Sequence, residues 1–230
     1  DNISMYKLKM QNSDAIAYRG NYLDPNEVYL SLLSGWNWIG YTPSLDLDVN
    51  VALSNIPSGN GEFLKSQSGY SDYYPDFGWF GTLDTMNPLK GYLLKLSEDT
   101  DFTYNANSLN KIVIQNYDSM ILSDNQFGLN IYEYEYNGTI TSLLSIDGNV
   151  IDNYDYTLIA YNGSKCIGIS EPLYFPLNSK IIFPLMVYGN SDGNVITFKI
   201  YDKRNNNYID FENKIEFKKD MRLGDGYNPV

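Results

Sequence analysis

Two glutamates offer the nearest approach to a catalytic pair in this 230-residue sequence. Glu133 and Glu135 alternate with the tyrosines of segment 132–136, so a strand there would place both carboxylates on one face. Glycoside hydrolysis needs two carboxyl groups about 5 to 10 Å apart, one of them with a raised pKa. Carboxylates two residues apart on one strand more often form a solvated face, so we do not predict catalysis from this pair.

Nucleophilic and zinc-assisted chemistry lacks its usual residues. The chain contains no histidine, which excludes Ser-His and Cys-His nucleophile pairs and the common His-based zinc sites. The single cysteine, Cys166, lies between Lys165 and Ile167. It has no histidine to act as its base, so we predict a buried, apolar role for it. We predict that the protein is not an enzyme and has no catalytic residues.

Acidic side chains are the remaining candidates for binding a cation. Asp46, Asp48 and Asn50 match the first three ligand positions of an EF-hand loop. Val51 stands where that loop needs glycine and Pro57 where it needs glutamate, so an EF-hand is rejected. A structural Ca²⁺ site of another kind stays open in the acidic loops that contain Asp192, Asp202 and Asp210. We predict no other cofactor.

Aromatic side chains beside glycine dominate the first hundred residues. In the motif GWNWIGY at residues 35–41, alternation places Trp36 and Trp38 on one face of a strand. Such rings either fill the core of a small β module or lie exposed, where they stack on sugar rings or on extended peptide. We predict a core position for Trp36, Trp38 and Tyr92.

A second aromatic cluster occurs between residues 70 and 79, where proline and glycine favour an exposed loop. Rings in an exposed loop would be accessible to a ligand. The residues predicted to bind a ligand are Tyr70, Tyr73, Tyr74, Phe77 and Trp79.

Short strands account for most of the secondary structure that the sequence predicts. The predicted strands are residues 5–10, 36–41, 91–96, 119–123, 156–161, 181–187, 195–201 and 214–217. Segment 181–187 is nearly continuously apolar, which is typical of a central strand buried on both faces. A single short helix is predicted from Leu47 to Ile56, with Ser44 or Asp46 as its N-cap.

A polar stretch at residues 99–110 interrupts the strand pattern and predicts a linker. The chain is therefore predicted to be all-β, with two modules at residues 1–105 and 106–230. We find no repeat that relates the two halves, so the modules are expected to differ in fold.

The order of motifs in the first half resembles a known module. Its motifs are GWNWIGY at residues 35–41, LKSQ at 64–67, GWFGTLDTMNPLKGYLLKL at 78–96 and FTY at 102–104. They are similar to an aromatic-rich β module of large secreted and surface-anchored bacterial proteins. In those proteins the module precedes a β-sandwich and, in some, a C-terminal secretion-sorting domain. The resemblance departs at Leu89, where the family usually has glycine, so the turn is expected to differ in shape.

The second half resembles the companion sandwich of the same proteins, in segments 156–161, 164–170, 187–190 and 197–202. The resemblance implies an aromatic-rich β module with one short helix, followed by an immunoglobulin-like β-sandwich. It also implies an extracellular location, on the surface of a cell or particle.

The charge balance limits the partners of the chain. Twenty-eight acidic and 16 basic side chains give a net charge of −12, which would repel the phosphates of nucleic acids and anionic lipids. No apolar run approaches the roughly 18 residues of a membrane span, so direct membrane insertion is not predicted.

These observations favour a structural or adhesive unit of a larger extracellular or cell-surface assembly. Its expected partners are other modules of the same or neighbouring surface proteins, and glycans. The alternative is an ancillary carbohydrate-binding module of a secreted enzyme, with Tyr73, Tyr74 and Trp79 as the stacking platform. A third hypothesis is a structural component of a virion or a filament.

Overall fold

The computed structural model describes residues 3–8, 12, 24–105 and 126–230. Of these residues, 48% lie in strands and 5% in helices, which confirms the predicted all-β class. The chain divides into two compact units, Asp1–Asn116 and Tyr117–Val230. The predicted boundary after residue 105 adjoins segment 106–125, which lies outside the described residues, and it stays a prediction.

The described part of the first unit is built from short strands. They are β1 (Leu30–Leu32), β2 (Gly35–Gly40), β3 (Leu47–Asp48), β4 (Gly61–Lys65), β5 (Tyr70–Tyr74), β6 (Gly78–Gly81), β7 (Thr85–Met86), β8 (Gly91–Leu96) and β9 (Thr100–Phe102). A 3-10 helix covers Pro25–Glu27, and the α-helix α1 covers Val49–Ala52.

Five strands of the first unit form one antiparallel sheet in the order β2-β8-β4-β5-β6. Two small ladders, β1 with β9 and β3 with β7, also form in the described part of this unit. In this sheet Trp36 lies opposite Lys95, and Lys95 lies opposite Phe63. Paired residues project from the same side of a sheet. Trp36 therefore shares a face with Lys95 of β8 and Phe63 of β4.

The opposite face of the sheet carries the core of the first unit. Ile39, Leu64 and Leu94 are buried there, in one cluster with α1 and with the tyrosines Tyr92 and Tyr104. The Tyr104 hydroxyl donates to the carbonyl of Gly40 at 3.0 Å. Burial raises the pKa of Tyr104 well above its usual value, so its phenol stays a neutral donor inside the core.

The α-helix is shorter than predicted. It covers Val49–Ala52 in place of the expected run from Leu47 to Ile56, and its N-cap is Asp48, whose carboxylate accepts from the amide of Asn50 at 2.8 Å. The helix ends at Leu53, whose amide donates to the carbonyl of Val49. The predicted apolar spacing is nevertheless real, because Val49, Leu53 and Ile56 are all buried. Leu53 and Ile56 lie in the turns that follow the helix.

The described part of the second unit contains ten strands. They are β10 (Tyr136–Ser142), β11 (Ser145–Ile146), β12 (Asn149–Val150), β13 (Tyr156–Asn162), β14 (Lys165–Ser170), β15 (Leu173–Phe175), β16 (Lys180–Gly189), β17 (Val195–Asp202), β18 (Asn207–Glu216) and β19 (Arg222–Leu223). A 3-10 helix, Ile131–Glu133, precedes β10.

Two four-stranded sheets form a sandwich in the second unit, in the orders β15-β16-β10-β19 and β14-β13-β17-β18. Apolar side chains from both sheets share one core, among them Ile140, Phe183, Leu158 and Phe198. If β10, β13, β16, β17 and β18 are equated with strands B, C, E, F and G, the strand order is that of the predicted immunoglobulin-like sandwich. The strand β19 forms the edge of the first sheet and pairs with β10 in parallel.

A glycine allows the two sheets to approach at one side of the sandwich. A Cβ atom at Gly168 of β14 would stand 2.4 Å from the backbone carbonyl oxygen of Met186 in β16. Only glycine tolerates such an approach. After β14 the chain enters β15, which pairs with β16, so this segment carries the chain from one sheet to the other.

The strand β18 is a ten-residue edge with an irregular middle. It pairs with β17 alone in the described part of the chain. The register shifts between Lys214, which faces Thr197, and Phe211, which faces Phe198. Two extra residues, Glu212 and Asn213, therefore form a bulge that divides the edge into two shorter pieces.

Most of the predicted strands are confirmed. Segments 36–41, 91–96, 156–161, 181–187, 195–201 and 214–217 lie in or overlap β2, β8, β13, β16, β17 and β18. Segment 181–187 is buried throughout, as predicted. The strand predicted at residues 5–10 is wrong over residues 5–8, which are not in a strand; the neighbouring Ser4 bridges to Ile39, and residues 9 and 10 lie outside the described residues. The strand predicted at residues 119–123 lies outside the described residues.

Candidate functional site

The aromatic cluster predicted to bind a ligand is a hairpin, and three of its five rings are buried. Tyr70 and Tyr74 bound β5, and Trp79 lies in β6. Tyr70, Tyr74 and Trp79 expose 2%, 4% and 7% of their surfaces. Tyr73 is partly buried, and only Phe77 is largely exposed, at 43%. A stacking platform that uses Tyr73, Tyr74 and Trp79 together would need rings that are accessible, and these are packed into the unit.

Contacts with α1 and β4 explain why Trp79 is buried. The Asn50 side chain accepts from the Trp79 amide at 2.7 Å and donates to the Trp79 carbonyl at 3.2 Å. The indole covers Gly61, where a Cβ atom would stand 2.6 Å from Trp79 Cζ2. Tyr73 meets Trp79 edge to face, with ring centroids 5.4 Å apart and planes at 66°. The glycine in β4 thus provides the space that the ring fills.

Trp36 and Trp38 are exposed, contrary to the predicted core position. They expose 45% and 48% of their surfaces, whereas Tyr92 is buried as predicted. The register of β2 explains the difference, because Ile39 and Tyr92 are paired on the core side while Trp38 lies opposite Leu93 on the other side. We call the surface formed by Trp36, Trp38, Leu93 and Lys95, beside which Phe63 and Lys65 are buried at 2% and 3% exposure, the tryptophan face.

Neighbouring side chains hold both indoles in place. Trp36 packs edge to face against Phe63, with centroids 5.9 Å apart and planes at 89°. The ammonium group of Lys65 lies 5.7 Å from the Trp36 ring centroid, and that of Lys7 lies 5.8 Å from the Trp38 ring centroid. Both distances allow cation–π attraction. The two rings are thus exposed to solvent but ordered.

An ion pair lies beside the rings. Lys95, which faces Trp36 across β2 and β8, is 2.5 Å from a carboxylate oxygen of Glu62. Both side chains are about one-third exposed, at 36% and 35%. The tryptophan face thus combines two half-exposed indole rings with the ammonium group of Lys95 and the carboxylate of Glu62.

The two glutamates considered for catalysis do not share a strand. Glu133 ends a 3-10 helix, and Glu135 precedes β10, so the predicted alternation is wrong here. Glu133 pairs with Lys165, and this hydrogen bond lowers the pKa of the Glu133 carboxyl group. Glu135 accepts from the Tyr136 hydroxyl at 2.9 Å. A general acid needs a raised pKa, which Glu133 does not have.

The three aspartates considered for Ca²⁺ each stabilise a different local structure. Asp202 accepts from the amides of Arg204 and Asn205 in the turn after β17, and hydrogen bonds from Asn205 lower its pKa. Asp210 pairs with Lys199, and Asp192 accepts from a backbone amide at 2.7 Å. In residues 3–8, 12, 24–105 and 126–230, no three Asp, Glu, Cys or His side chains are placed to hold a metal ion.

The single thiol is buried, as predicted. Cys166 exposes 3% of its surface, and burial raises the pKa of its thiol group. A raised pKa disfavours the thiolate, which is the nucleophilic form.

A shallow groove of about 280 Å³ lies in the second unit. Its lining includes Val150, Asp152, Tyr154, Tyr174, Ser179 and Lys180. This volume is slightly below the range of roughly 300 to 1,000 Å³ that is usual for small-molecule sites, so we assign no ligand to it.

The exposure of the tryptophans has a signal in the sequence that the prediction missed. In β4 and β8 the residues of one parity are Leu64, Tyr92 and Leu94, while Lys65 and Lys95 have the opposite parity. Lys95 marks the solvent side of the sheet, since its side chain is 36% exposed, whereas Lys65 exposes only 3% of its surface. The tryptophans belong to that side once the strands are paired, but the pairing is a long-range property.

Comparison of the chain with protein-family models, with curated proteins and with solved structures found no match. Within the part of the chain that the structure describes, no helix has the length and apolarity of a membrane span.

Proposed function

We propose that this chain is a non-catalytic structural or adhesive unit of a larger extracellular or cell-surface assembly. The observation that carries the proposal is the pair of ordered, half-exposed indoles, Trp36 and Trp38, on a five-stranded sheet. Large exposed aromatic side chains on rigid elements are typical of contact surfaces. The expected partners are glycans and other modules of the same or neighbouring surface proteins.

The resemblance to modules of secreted and surface-anchored bacterial proteins supports the same conclusion. In that setting the first unit would act as a contact module and the sandwich as a spacer. The fold alone does not choose this function, because β-sandwiches host many activities. The tryptophan face supplies the more specific argument, since exposed indoles of this size are costly to leave in water without a partner.

Binding to intact surfaces tests the proposal. The fluorescently labelled chain is titrated onto the cells or particles that carry the parent protein, beside the double variant Trp36→Ala/Trp38→Ala. We expect saturable binding that weakens at least about tenfold in the double variant. Tyr29→Ala is the matched control, because Tyr29 is an exposed aromatic of the same unit, at 72%, outside the tryptophan face. Absence of saturable binding, or equal binding by all three proteins, would refute the proposal.

The second candidate function is an ancillary carbohydrate-binding module of a secreted enzyme. The same exposed indoles favour it, because aromatic rings on a sheet surface stack on sugars. The full-length parent separates the two candidates: a hydrolase domain in the same polypeptide supports the enzyme module, whereas repeats or a filament-forming segment support the structural unit.

A further inference from the structure

We propose that the tryptophan face binds a neutral, extended polysaccharide, with Trp36 and Trp38 stacking on the flat faces of its sugar rings. The inference rests on the adhesive function proposed above, and it names the ligand class and the residues that contact the ligand. It moves the binding surface from the Tyr70–Trp79 hairpin to β2.

The spacing and order of the rings suit a chain of sugars. Trp36 and Trp38 are two residues apart on one strand, so their Cα atoms are about 6.6 Å apart along β2. The ring of Phe63 and the ammonium groups of Lys65 and Lys7 contact the indoles. Rings that are already ordered lose little conformational freedom when a ligand binds. A row of two such rings favours an extended ligand over a single sugar.

The edge of β2 is closed to peptide at both ends, which argues against strand addition. At one end Ser4 bridges to Ile39, and the amide of Gly40 donates to the carbonyl of Ile3 at 2.9 Å. At the other end the Asn37 side chain accepts from the amide of Leu33 at 2.9 Å and donates to its carbonyl at 2.7 Å. The remaining edge, between Leu33 and Ile39, is too short for the ladder that an added strand needs.

The charges beside the rings favour a neutral ligand. Glu62 and Lys95 form an ion pair at the tryptophan face, and sugar hydroxyls can donate to the carboxylate and accept from the ammonium group. Of the three ammonium groups beside the rings, that of Lys95 is paired with Glu62 and Lys65 exposes only 3% of its surface, so neither is open to a sugar carboxylate. The net charge of −12 on the whole chain also disfavours an acidic ligand.

Calorimetric titration of the whole chain tests the inference. The ligands are β-1,4-linked hexamers of glucose, mannose and N-acetylglucosamine, with a hexamer of galacturonic acid as the acidic comparison. We expect at least one neutral hexamer to bind at least tenfold more tightly than the acidic one. Trp36→Ala and Trp38→Ala should each weaken binding about tenfold, while Tyr29→Ala leaves it unchanged within twofold. Trp38→Phe, which keeps a smaller ring, should give an intermediate affinity.

Three results would overturn the inference. These are no binding of any neutral hexamer at millimolar concentration, equal affinity in the wild-type chain and both alanine variants, or tighter binding of the acidic hexamer. Unchanged thermal midpoints show that the variants are folded, as expected for exposed side chains.

A second arm separates this inference from the adhesive function. The surface-binding assay is repeated on cells or particles whose glycans have been oxidised with periodate and digested with chitinase, because internal β-1,4-linked N-acetylglucosamine has no vicinal diol for periodate to cleave. Loss of binding supports the glycan ligand. Binding that persists and still needs Trp36 and Trp38 overturns the glycan inference but leaves the adhesive function standing, with a protein as the partner.

Discussion

Two aromatic regions of the first unit have similar compositions and opposite exposures. In β2 the motif GWNWIG leaves Trp36 and Trp38 about half exposed, whereas in the β5–β6 hairpin the motif GWFG buries Trp79 to 7%. Both place tryptophan next to glycine. The difference lies in what faces each ring: Trp79 meets a glycine and the α-helix, and the rings of β2 meet the ends of lysine side chains. Exposure is therefore set by the partners across the sheet.

Removal of the buried ring should have the largest effect on stability. We expect Trp79→Ala to lower the free energy of unfolding by about 3 to 5 kcal/mol, because the cavity above Gly61 cannot close fully. Trp38→Ala is the matched control and should cost less than about 1 kcal/mol. Urea denaturation monitored by fluorescence measures both, since all three tryptophans of the chain, residues 36, 38 and 79, lie in the first unit. Equal losses of unfolding free energy in Trp79→Ala and Trp38→Ala would contradict the difference in burial between the two regions.

The hydrogen bonds from α1 to β6 should have a smaller effect. Asn50→Ala leaves the backbone amide and carbonyl of Trp79 without their side-chain partner, and we expect a loss of about 1 to 2 kcal/mol. Asn50→Asp keeps an acceptor for the amide and removes the donor to the carbonyl, so its loss should be intermediate. The same denaturation assay measures this series. If Asn50→Ala were as stable as the wild type, the hairpin would be held by its rings alone.

A turn that leads into β8 should give the smallest effect, with the opposite sign. Leu89 has a φ of 65° and is 86% exposed. The left-handed region costs a non-glycine residue roughly 1 to 2 kcal/mol, while glycine loses more backbone entropy on folding. We expect Leu89→Gly to stabilise the first unit by about 0.5 to 1 kcal/mol. Leu89→Ala, which keeps the strain, serves as the control and should leave the unfolding midpoint nearly unchanged.

The same turn shows what a resemblance can and cannot supply. The family usually has glycine where Leu89 stands, and a turn of different shape was expected. Leu89 has a φ of 65°, a left-handed backbone conformation that glycine adopts without strain and leucine does not. The sequence predicts the position of the turn, but only the φ angle shows how the leucine is accommodated.

Local patterns predicted the strands well because a period of two is a local property. The alternation in β17 and the apolar run of β16 identify both strands without knowledge of their partners. The helix was predicted too long, since the apolar spacing of Val49, Leu53 and Ile56 is satisfied by turns as well as by helix.

The ligand-binding prediction falls on rings that are mostly buried, for a physical reason. Proline and glycine between residues 70 and 79 favour a loop, but the turn there is short and Trp79 folds back over Gly61. Whether a ring has a glycine or a lysine across the sheet depends on strand order, and strand order joins residues distant in sequence. Trp36 and Lys95 are 59 positions apart (95 − 36) yet directly opposite each other.

The bulge in β18 has a consequence for the behaviour of the chain at high concentration. A long, regular edge strand is a template on which the edge of another molecule can extend the sheet. In β18 the ladder is broken at Glu212 and Asn213, and charged side chains flank the break at Asp210 and Lys214. An incoming strand would find only two short, charged segments. This edge of the sandwich is therefore a poor template for sheet extension between copies of the chain.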